Sequence, residues 1–434
     1  MQRRFLNRGL SRRGLIKGAA TGAAVAALAP AGLGRLTAAA AQEPTTVRLV
    51  SPPSSPAETA ALEALLEEFA AANPNIRVDY QAITSEYNTK LQTDLAAGSA
   101  ADVFTVDSLV MPDLIAAEVM TPLDDYMAQA GFTAADYFPG LISAFQAGGR
   151  TYGLPKDFST LAMFYDPQAF EAAGIAAPPA TWDELRTAAQ TLLDATGQPP
   201  IVYAPSLARY IAFLYAGGGR ILSEDGSQVT INSPEAKTAL DYFYGLYTDG
   251  LAATFTDVGA VWPGAAFATD TGSIVFEGNW LLPFLAENAP DKQFRVAEMP
   301  AGPAGKATMA FTVCYAINEA SAVRDAAWTL VSYLTGPEGM AIWSDTSGLL
   351  PSRPALTQAY VDKYPDRSAF LAGGEYARPW QLGQGGEKFN LDADAELQAL
   401  FSGQGSTEET LARLEEKANE DIRLGTAPVA TPAT

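Results

Sequence analysis

The stretch from Val47 to Tyr80 commits this chain to a parallel α/β sheet. Val47-Arg-Leu-Val50 has the length and branched content of a short strand. A Pro/Ser loop covers Ser51–Ser55, and Ser55-Pro56-Ala57-Glu58 then reads as a helix start. Ser caps it, Pro takes the first helical position, and Glu58 closes a capping box. Leu62, Leu65, Leu66 and Phe69 recur at helical spacing and form one apolar face. Asn73-Pro74 ends the helix, and Ile76-Arg-Val-Asp-Tyr80 alternates as a second strand. Two strands joined through a helix pair in parallel with a right-handed crossover. In sheets of this kind ligands bind at the carboxyl ends of the strands. Ser51 and the loop behind it lie at such an end.

The pattern continues along the chain. Tyr87 to Ala97 predicts a helix closed by Gly98, and Val103-Phe-Thr-Val106 a buried strand ending at Asp107, again at a carboxyl end. Pro112 to Ala117 predicts a short helix, Thr151-Tyr-Gly-Leu-Pro155 a turn, and Leu161 to Tyr165 a strand. Thr181 to Glu184 is a second capping box, for a helix carrying Leu185, Ala188, Ala189 and Leu192. Ser233-Pro234-Glu235 opens a helix running to about Asp249. Ser273-Ile-Val-Phe276 is a strand that leads into Gly278-Asn279-Trp280. Ala310–Ile317 predicts a strand, Ser321–Leu334 a helix, and Ser406-Thr-Glu-Glu409 a third capping box. The residues after Leu424 read as a disordered tail. Without the first 41 residues, roughly 390 remain, which suits two lobes better than one core.

Those first 41 residues read as an export signal. Arg12-Arg13 precedes an apolar pair and Lys17, an Ala/Gly-rich stretch runs from Gly18 to Leu33, and Ala38–Ala41 offers an A-x-A-like cleavage site. The twin arginine marks the Tat pathway, which exports folded proteins. The chain is therefore expected outside the cytoplasmic membrane, extracellular or periplasmic. No cysteine lies near the signal, so it is not expected to be a lipoprotein. The signal holds seven Lys+Arg and no acid, leaving 21 against 49 Asp+Glu, a net charge of −28. That excludes nucleic acid as a partner, because neutralising phosphates needs clustered Lys and Arg.

There is no histidine and only one cysteine. Ser-His-Asp triads, Cys-His pairs and His-ligated zinc or haem are excluded, as is an intrachain disulfide. Cys314 lies in an apolar run and reads as a small buried hydrophobe. The acids are scattered and no Tyr-Tyr pair occurs, so neither a metal nor a cofactor is expected. Two functional classes survive: a binder without catalysis, or a glycosidase that runs on carboxylates alone. Asp107 and Asp157 are the pair such an enzyme would use, yet no acid reads as seated in an apolar pocket.

Seven blocks, in order, point to one family. They are Phe69-Ala-Ala-Ala-Asn-Pro-Asn-Ile-Arg-Val78; Lys90 to Val103; Tyr152-Gly-Leu-Pro with Met163-Phe-Tyr-Asp166; and Phe170-Glu-Ala-Ala-Gly-Ile with Pro178-Pro-Ala-Thr-Trp-Asp-Glu-Leu185. Glu277-Gly-Asn-Trp280, then Ala326-Ala-Trp with Tyr333-Leu-Thr-Gly-Pro-Glu338, and Gly348-Leu-Leu-Pro-Ser-Arg353 complete the set. Over residues 43–424 the chain resembles the extracellular solute-binding proteins of ABC importers, sugar-binding type, the family that includes maltose-binding protein. It departs at Ala101, where the family block has Pro.

The resemblance implies an α/β, two-lobe periplasmic-binding-protein-like fold of type II, with crossing hinge segments and a ligand cleft between the lobes. Lobe one would comprise 43–155 plus 310–348, and lobe two 157–308 plus 349–424. The implied partners are a small-molecule carbohydrate and the permease subunits of an ABC importer, with the binding subunit a monomer. Trp280 aligns with a family tryptophan that stacks on the ligand. Trp380 and Arg378 lie in a loop where the family often supplies a ring or an arginine. Polar contacts are expected from Asp107, Asp157 and Ser159, from Asn279 beside Trp280, from Ser51, and from Tyr87, whose position contacts ligand in glycerol-phosphate-ester-binding relatives. Such an ester or another small anion is the alternative ligand, held by Arg378 and the helix start at Ser55. Arg353 is expected either at the ligand or tying the lobes together. Trp182, Trp328 and Trp343 sit inside helical blocks and read as core, and Trp262 as packing.

Overall fold

The computed structural model describes residues 43–53 and 56–426. The export signal, the Ser55 cap and the tail from 427 onward lie outside the described residues. The first strand, β1 (Thr45–Ser51), the helix Pro56–Ala72 and β2 (Ile76–Ala82) form the expected unit. β1 and β2 run parallel, with Thr45 opposite Ile76 and Ser51 opposite Ala82. The helix buries Leu62, Leu65 and Phe69 against the sheet and leaves Leu66 partly covered. β3 (Val103–Asp107) pairs in parallel on the other side of β1. The helix Tyr87–Ala96 before it ends at Gly98, whose φ of +66° favours glycine.

A two-stranded ribbon of β4 (Gln146–Ala147) and β5 (Arg150–Thr151) leads to β6 (Leu154–Thr160), which is buried along its whole length. The expected turn over Thr151–Pro155 is confined to Tyr152 and Gly153, because Leu154 and Pro155 already pair with a later strand. Gly153 has no room for a side chain, since a Cβ there would meet Cys314 Sγ at 2.2 Å. The remaining strands are β7 (Ala162–Tyr165), β8 (Ile201–Tyr203), β9 (Ala252–Thr254), β10 (Ile274–Glu277), β11 (Arg295–Ala297), β12 (Met309–Ile317) and β13 (Arg378–Pro379).

The strands form two main sheets. The first has the order β13-β12-β3-β1-β2, with β6 on the other side of β12. The second has the order β11-β7-β10-β8-β9. β12 runs antiparallel to both β3 and β6, and Val313 stands opposite Asp107 on one side and Asp157 on the other. On β6 the register jumps, so that Val313 meets Asp157 while Cys314 meets Pro155. Lys156 is thus the extra residue of a β-bulge, a device that re-aims side chains beside functional sites.

Each sheet has its own core. Val47, Leu49 and Val103 of the first pack with Trp328 and Trp343 from the helices Arg324–Thr335 and Pro337–Ser347. On the second, alternate residues serve opposite faces. Met163 and Phe276 meet the helices Trp182–Thr196, Leu207–Ala216 and Pro234–Thr248, and the C-terminal pair Gly386–Phe401 and Thr407–Asp421 packs on the same side. Phe164 and Val275 face the other way, onto Phe267, Leu285, Tyr360 and Phe370. Cys314 is buried as a small hydrophobe.

The helix starts follow their caps with two exceptions. Ser406 and Glu409 make the full reciprocal box. At Thr181 the hydroxyl caps Glu184 N–H, but the Glu184 carboxylate reaches back one residue further, to Ala180 N–H at 2.7 Å. The helix expected from Ser321 begins at Arg324 instead, because Ser321 Oγ donates to Asp102 Oδ1 at 2.8 Å and ties that loop to the start of β3. No helix among the described residues is long and apolar enough to cross a membrane.

Candidate functional site

A cavity of about 310 Å³ opens over one face of the first sheet, against the carboxyl end of β10. Its floor follows from strand alternation. Thr105 and Asp107 on β3, Phe311 and Val313 on β12, and Asp157 and Ser159 on β6 share that face, and Ser51 ends β1 beside them. Asn279 and Trp280 come from the second sheet, and Glu58 from the first turn of the helix Pro56–Ala72. This volume is at the small end of the range of about 300–1,000 Å³ usual for ligand sites.

The bulge at Lys156 explains the first polar cluster. In a regular strand Lys156 and Asp157 would point to opposite faces, whereas here both line the cavity. Lys156 Nζ lies 2.7 Å from Glu58 Oε1 and 2.9 Å from Asp157 Oδ2, and sits 4.2 Å from the ring centre of Trp343. Trp343 Nε1 also donates to Asp157 Oδ2, at 3.0 Å. Burial alone would lower the Lys156 pKa, but Asp157 and Glu58 outweigh it and hold the ammonium above the usual lysine range. Burial raises the Asp157 pKa, and Lys156 opposes that rise.

Asp107 is differently placed. Its Oδ1 accepts from Leu109 N–H at 2.8 Å, a backbone donor and not an ammonium. Burial pushes the carboxyl up to about 6; the Leu109 N–H opposes this and the Glu387 carboxylate adds to it. The residues next to Asp107 in the sequence do not announce this burial. Its shelter comes from β12 and from the segment after β3, which are far apart in sequence.

The aromatic wall is built from the strand-to-helix junction after β10. Trp280 is partly exposed, and its Nε1 donates to Glu277 Oε2 at 2.9 Å. Its ring meets Phe311 edge-on, centroids 5.6 Å apart and planes at 88°. Gly278 leaves room for the indole, since a Cβ there would meet the ring at 2.2 Å. Beside it, Asn279 N–H donates to Ser159 Oγ at 2.7 Å, and Asn279 Nδ2 donates to the Phe158 carbonyl. Ser51 Oγ and the Tyr80 hydroxyl lie 3.0 Å apart. Carboxylates, hydroxyls and two rings set at right angles can together meet a ligand with hydroxyl groups on an apolar frame.

The family described as bacterial extracellular solute-binding protein matches residues 53–341. This chain belongs to that family. A relative in Brucella abortus (strain 2308), named only as a binding protein, is 27% identical over 91% of this chain and 97% of its own length. Among solved structures, an ABC substrate-binding protein from Listeria monocytogenes in complex with cycloalternan is 25% identical. It superposes with a TM-score of 0.80 over 87% of this chain and 99% of that one. A receptor of Streptomyces glaucescens, studied unliganded and with acarbose, is 22% identical with a TM-score of 0.79, over 88% and 100% of the two chains. The solute-binding protein therefore has the two-lobe type II fold that its sequence blocks implied.

Of the side chains expected at the ligand, Ser51, Asp107, Asp157, Ser159, Asn279 and Trp280 of this solute-binding protein meet in the cavity. The other three do not line it. Tyr87 is buried in a core, where its hydroxyl donates to the Thr105 carbonyl at 2.8 Å, one layer behind the floor. Trp380 is only 5% exposed and packs behind Phe311, ring centroids 5.4 Å apart. Arg378 pairs through its backbone with β12 while its guanidinium sits over Tyr215, 5.1 Å from the ring centre. Arg353 does not line the cavity: its Nε donates to the Thr335 carbonyl at 2.7 Å and its Nη2 to the Tyr137 hydroxyl at 3.2 Å. Trp182, Trp328 and Trp343 are buried as expected.

Lys156, Glu58 and Phe311 are cavity residues that sequence reasoning missed. In the sequence Glu58 reads as a capping residue alone. Phe311 read as one residue of an apolar strand. Lys156 could be found only from the bulge, which no local pattern announces.

Proposed function

We propose that this chain is the exported substrate-binding subunit of an ABC importer and that it captures a carbohydrate in the cavity. The observation that carries the reading is the meeting of Trp280 and Phe311 with the carboxylates of Asp107 and Asp157 over one sheet face. A sugar presents hydroxyl groups and apolar ring faces, and this surface offers acceptors for the first and rings for the second. The Listeria neighbour, in complex with cycloalternan, and the Streptomyces neighbour, with acarbose, support the same ligand class. A glycerol-phosphate ester or other anion fits less well, because Glu58, Asp107 and Asp157 outnumber Lys156 there, and Arg378 lies elsewhere.

On this reading 43–155 plus 310–348 form lobe one and 157–308 plus 349–424 lobe two, closing on the ligand by a hinge. Only the closed form makes both sets of contacts, so affinity scales with the closed fraction. The Arg12-Arg13 signal sends the protein out through the Tat pathway, and it works there as a monomer that is not lipid-anchored. It is not an enzyme: Asp157 is committed to Lys156 and Trp343, which leaves Asp107 without a free carboxylate partner for glycoside chemistry.

A thermal-shift screen of the purified protein against saccharides, polyols, glycerophosphodiesters and metal ions tests the reading, since a ligand stabilises the state that binds it. A saccharide should raise the melting temperature, and Trp280→Ala should abolish the shift while lowering the ligand-free value little. A shift with a glycerophosphodiester alone, or turnover of a chromogenic glycoside, would overturn it.

A further inference from the structure

Glu277 is fully buried, does not line the cavity, and is not one of the residues expected at the ligand. Its carboxylate is nonetheless the meeting point of three elements. It ends β10; it accepts from Arg209 Nε at 3.2 Å and from Arg209 Nη2 at 2.6 Å; and it accepts from Trp280 Nε1 at 2.9 Å. Arg209 belongs to the helix Leu207–Ala216, which packs in the same core as Phe276 of β10, and its guanidinium also stands 5.6 Å from the Trp280 ring centre. The indole is therefore gripped at its N–H by a charged acceptor, while that acceptor is held by a two-point pair with an arginine.

The backbone makes such a grip necessary. Trp280 opens the helix Leu281–Asn288 and follows Gly278, a position that must lack a Cβ for the ring to lie where it does. Its ring is only partly buried, so core packing alone does not select one rotamer. A ring free to swing would lose orientational entropy on binding, and fixing it beforehand removes that cost from the affinity.

We propose that Glu277 is the positioning residue for the ligand-facing ring: with Arg209 behind it, it presets Trp280 edge-on to Phe311 before any ligand arrives. This rests on the reading of the cavity as a saccharide site only for its effect on affinity. The preset orientation itself is a property of the unliganded protein.

The test uses the mature protein with ¹⁵N-labelled tryptophan, whose six indole N–H signals are resolved by NMR. Trp280→Phe identifies the Trp280 signal by its disappearance. In the wild type that signal should lie downfield, as a charge-assisted hydrogen bond requires, and exchange slowly with water. Glu277→Gln, which keeps an acceptor and a partner for Arg209, should move it upfield and speed its exchange. The pair Arg209→Leu/Glu277→Gln removes both charges together and covers the case in which an unpaired Arg209 spoils the fold. An unmoved signal in folded variants overturns the proposal. With the saccharide that shifts the melting temperature, Glu277→Gln should weaken binding about tenfold in the wild-type background and much less in the Trp280→Phe background. An equal loss in both backgrounds also overturns it, since a general structural role would act in either. If the signal moves and no saccharide binds, the positioning stands and the carbohydrate reading falls.

Discussion

Asp107 and Asp157 stand on either side of Val313, one strand to the left and one to the right, on the same face of the first sheet. Their backbones are two strand spacings apart, about 10 Å. The two acids differ in what neutralises them. Asp157 has the Lys156 ammonium and the Trp343 indole N–H, whereas Asp107 has a backbone N–H from Leu109. Two acids of one type thus enter the cavity with different charge behaviour.

The Asp107 carboxyl titrates near 6, against an ordinary value of 3.8. Between those values the folded protein keeps a proton that the unfolded chain has released. Stability from this group therefore falls as pH rises from 3.8 through about 6 and is level above that. Urea unfolding of wild type and Asp107→Asn across this range should show a difference that slopes only inside it. Ligand hydroxyls that donate to the ionised carboxylate should bind more tightly as pH passes about 6, and that gain should vanish in Asp107→Asn. A pH-independent difference would remove the assignment.

Lys156→Met takes the cation from between Glu58 and Asp157 and leaves two buried carboxylates facing each other. Breaking a buried pair in this way costs about 3–5 kcal/mol. Denaturation at neutral pH should show it, and the loss should shrink at acid pH, where the stranded acids take up protons. A cost below about 1 kcal/mol would mean that the cluster is solvated as surface pairs are.

The two tryptophans named from the sequence as ligand candidates should separate cleanly. Trp380→Ala empties a core position and should cost about 3–5 kcal/mol of folding stability. Trp280→Ala should cost far less in folding but about 2 kcal/mol or more in saccharide affinity, as hot-spot aromatics do. Chemical denaturation and calorimetric titration of both variants decide the matter, and the reverse pattern would exchange their roles.

Gly153→Ala drives a methyl group into Cys314 Sγ. Overpacking of this kind costs about 1–3 kcal/mol. Cys314→Ala in the same chain should recover part of that loss, because the sulfur is the atom nearest the new methyl. The two substitutions should therefore be non-additive in a thermal or urea melt, and simple additivity would show that the contact is relieved by backbone movement.

The parts of this protein that could be read from its residues are those set by local chemistry. The Pro56 helix start, the alternation of β2 and the Ser406 box each depend on neighbours within a few positions, and all three recur in the fold. Asp107, Asn279 and Trp280 reach the cavity, and they are legible because strand ends and junctions can be located in one dimension. Trp380 and Tyr87 do not reach the cavity, because burial depends on what packs on them from elsewhere: Phe311 for the first, Thr105 of β3 for the second. Lys156 shows the sharpest limit. Simple alternation sends it away from Asp157, and only pairing with a strand more than 150 residues later creates the bulge that brings it back.

That late strand also sets the order in which the molecule can assemble. All five strands of the second sheet lie between Ala162 and Ala297. The first sheet needs β12, residues Met309–Ile317, inserted between β3 and β6. A nascent chain leaving the ribosome therefore carries β3 and β6 with bare edges until residue 317 has emerged. Such long-range closure slows folding and exposes sticky strands to neighbours in the meantime. A chain stopped just before Met309 also lacks the helices Gly386–Phe401 and Thr407–Asp421 that cover the second sheet, so it should be protease-sensitive throughout, aggregate, and have no binding cavity.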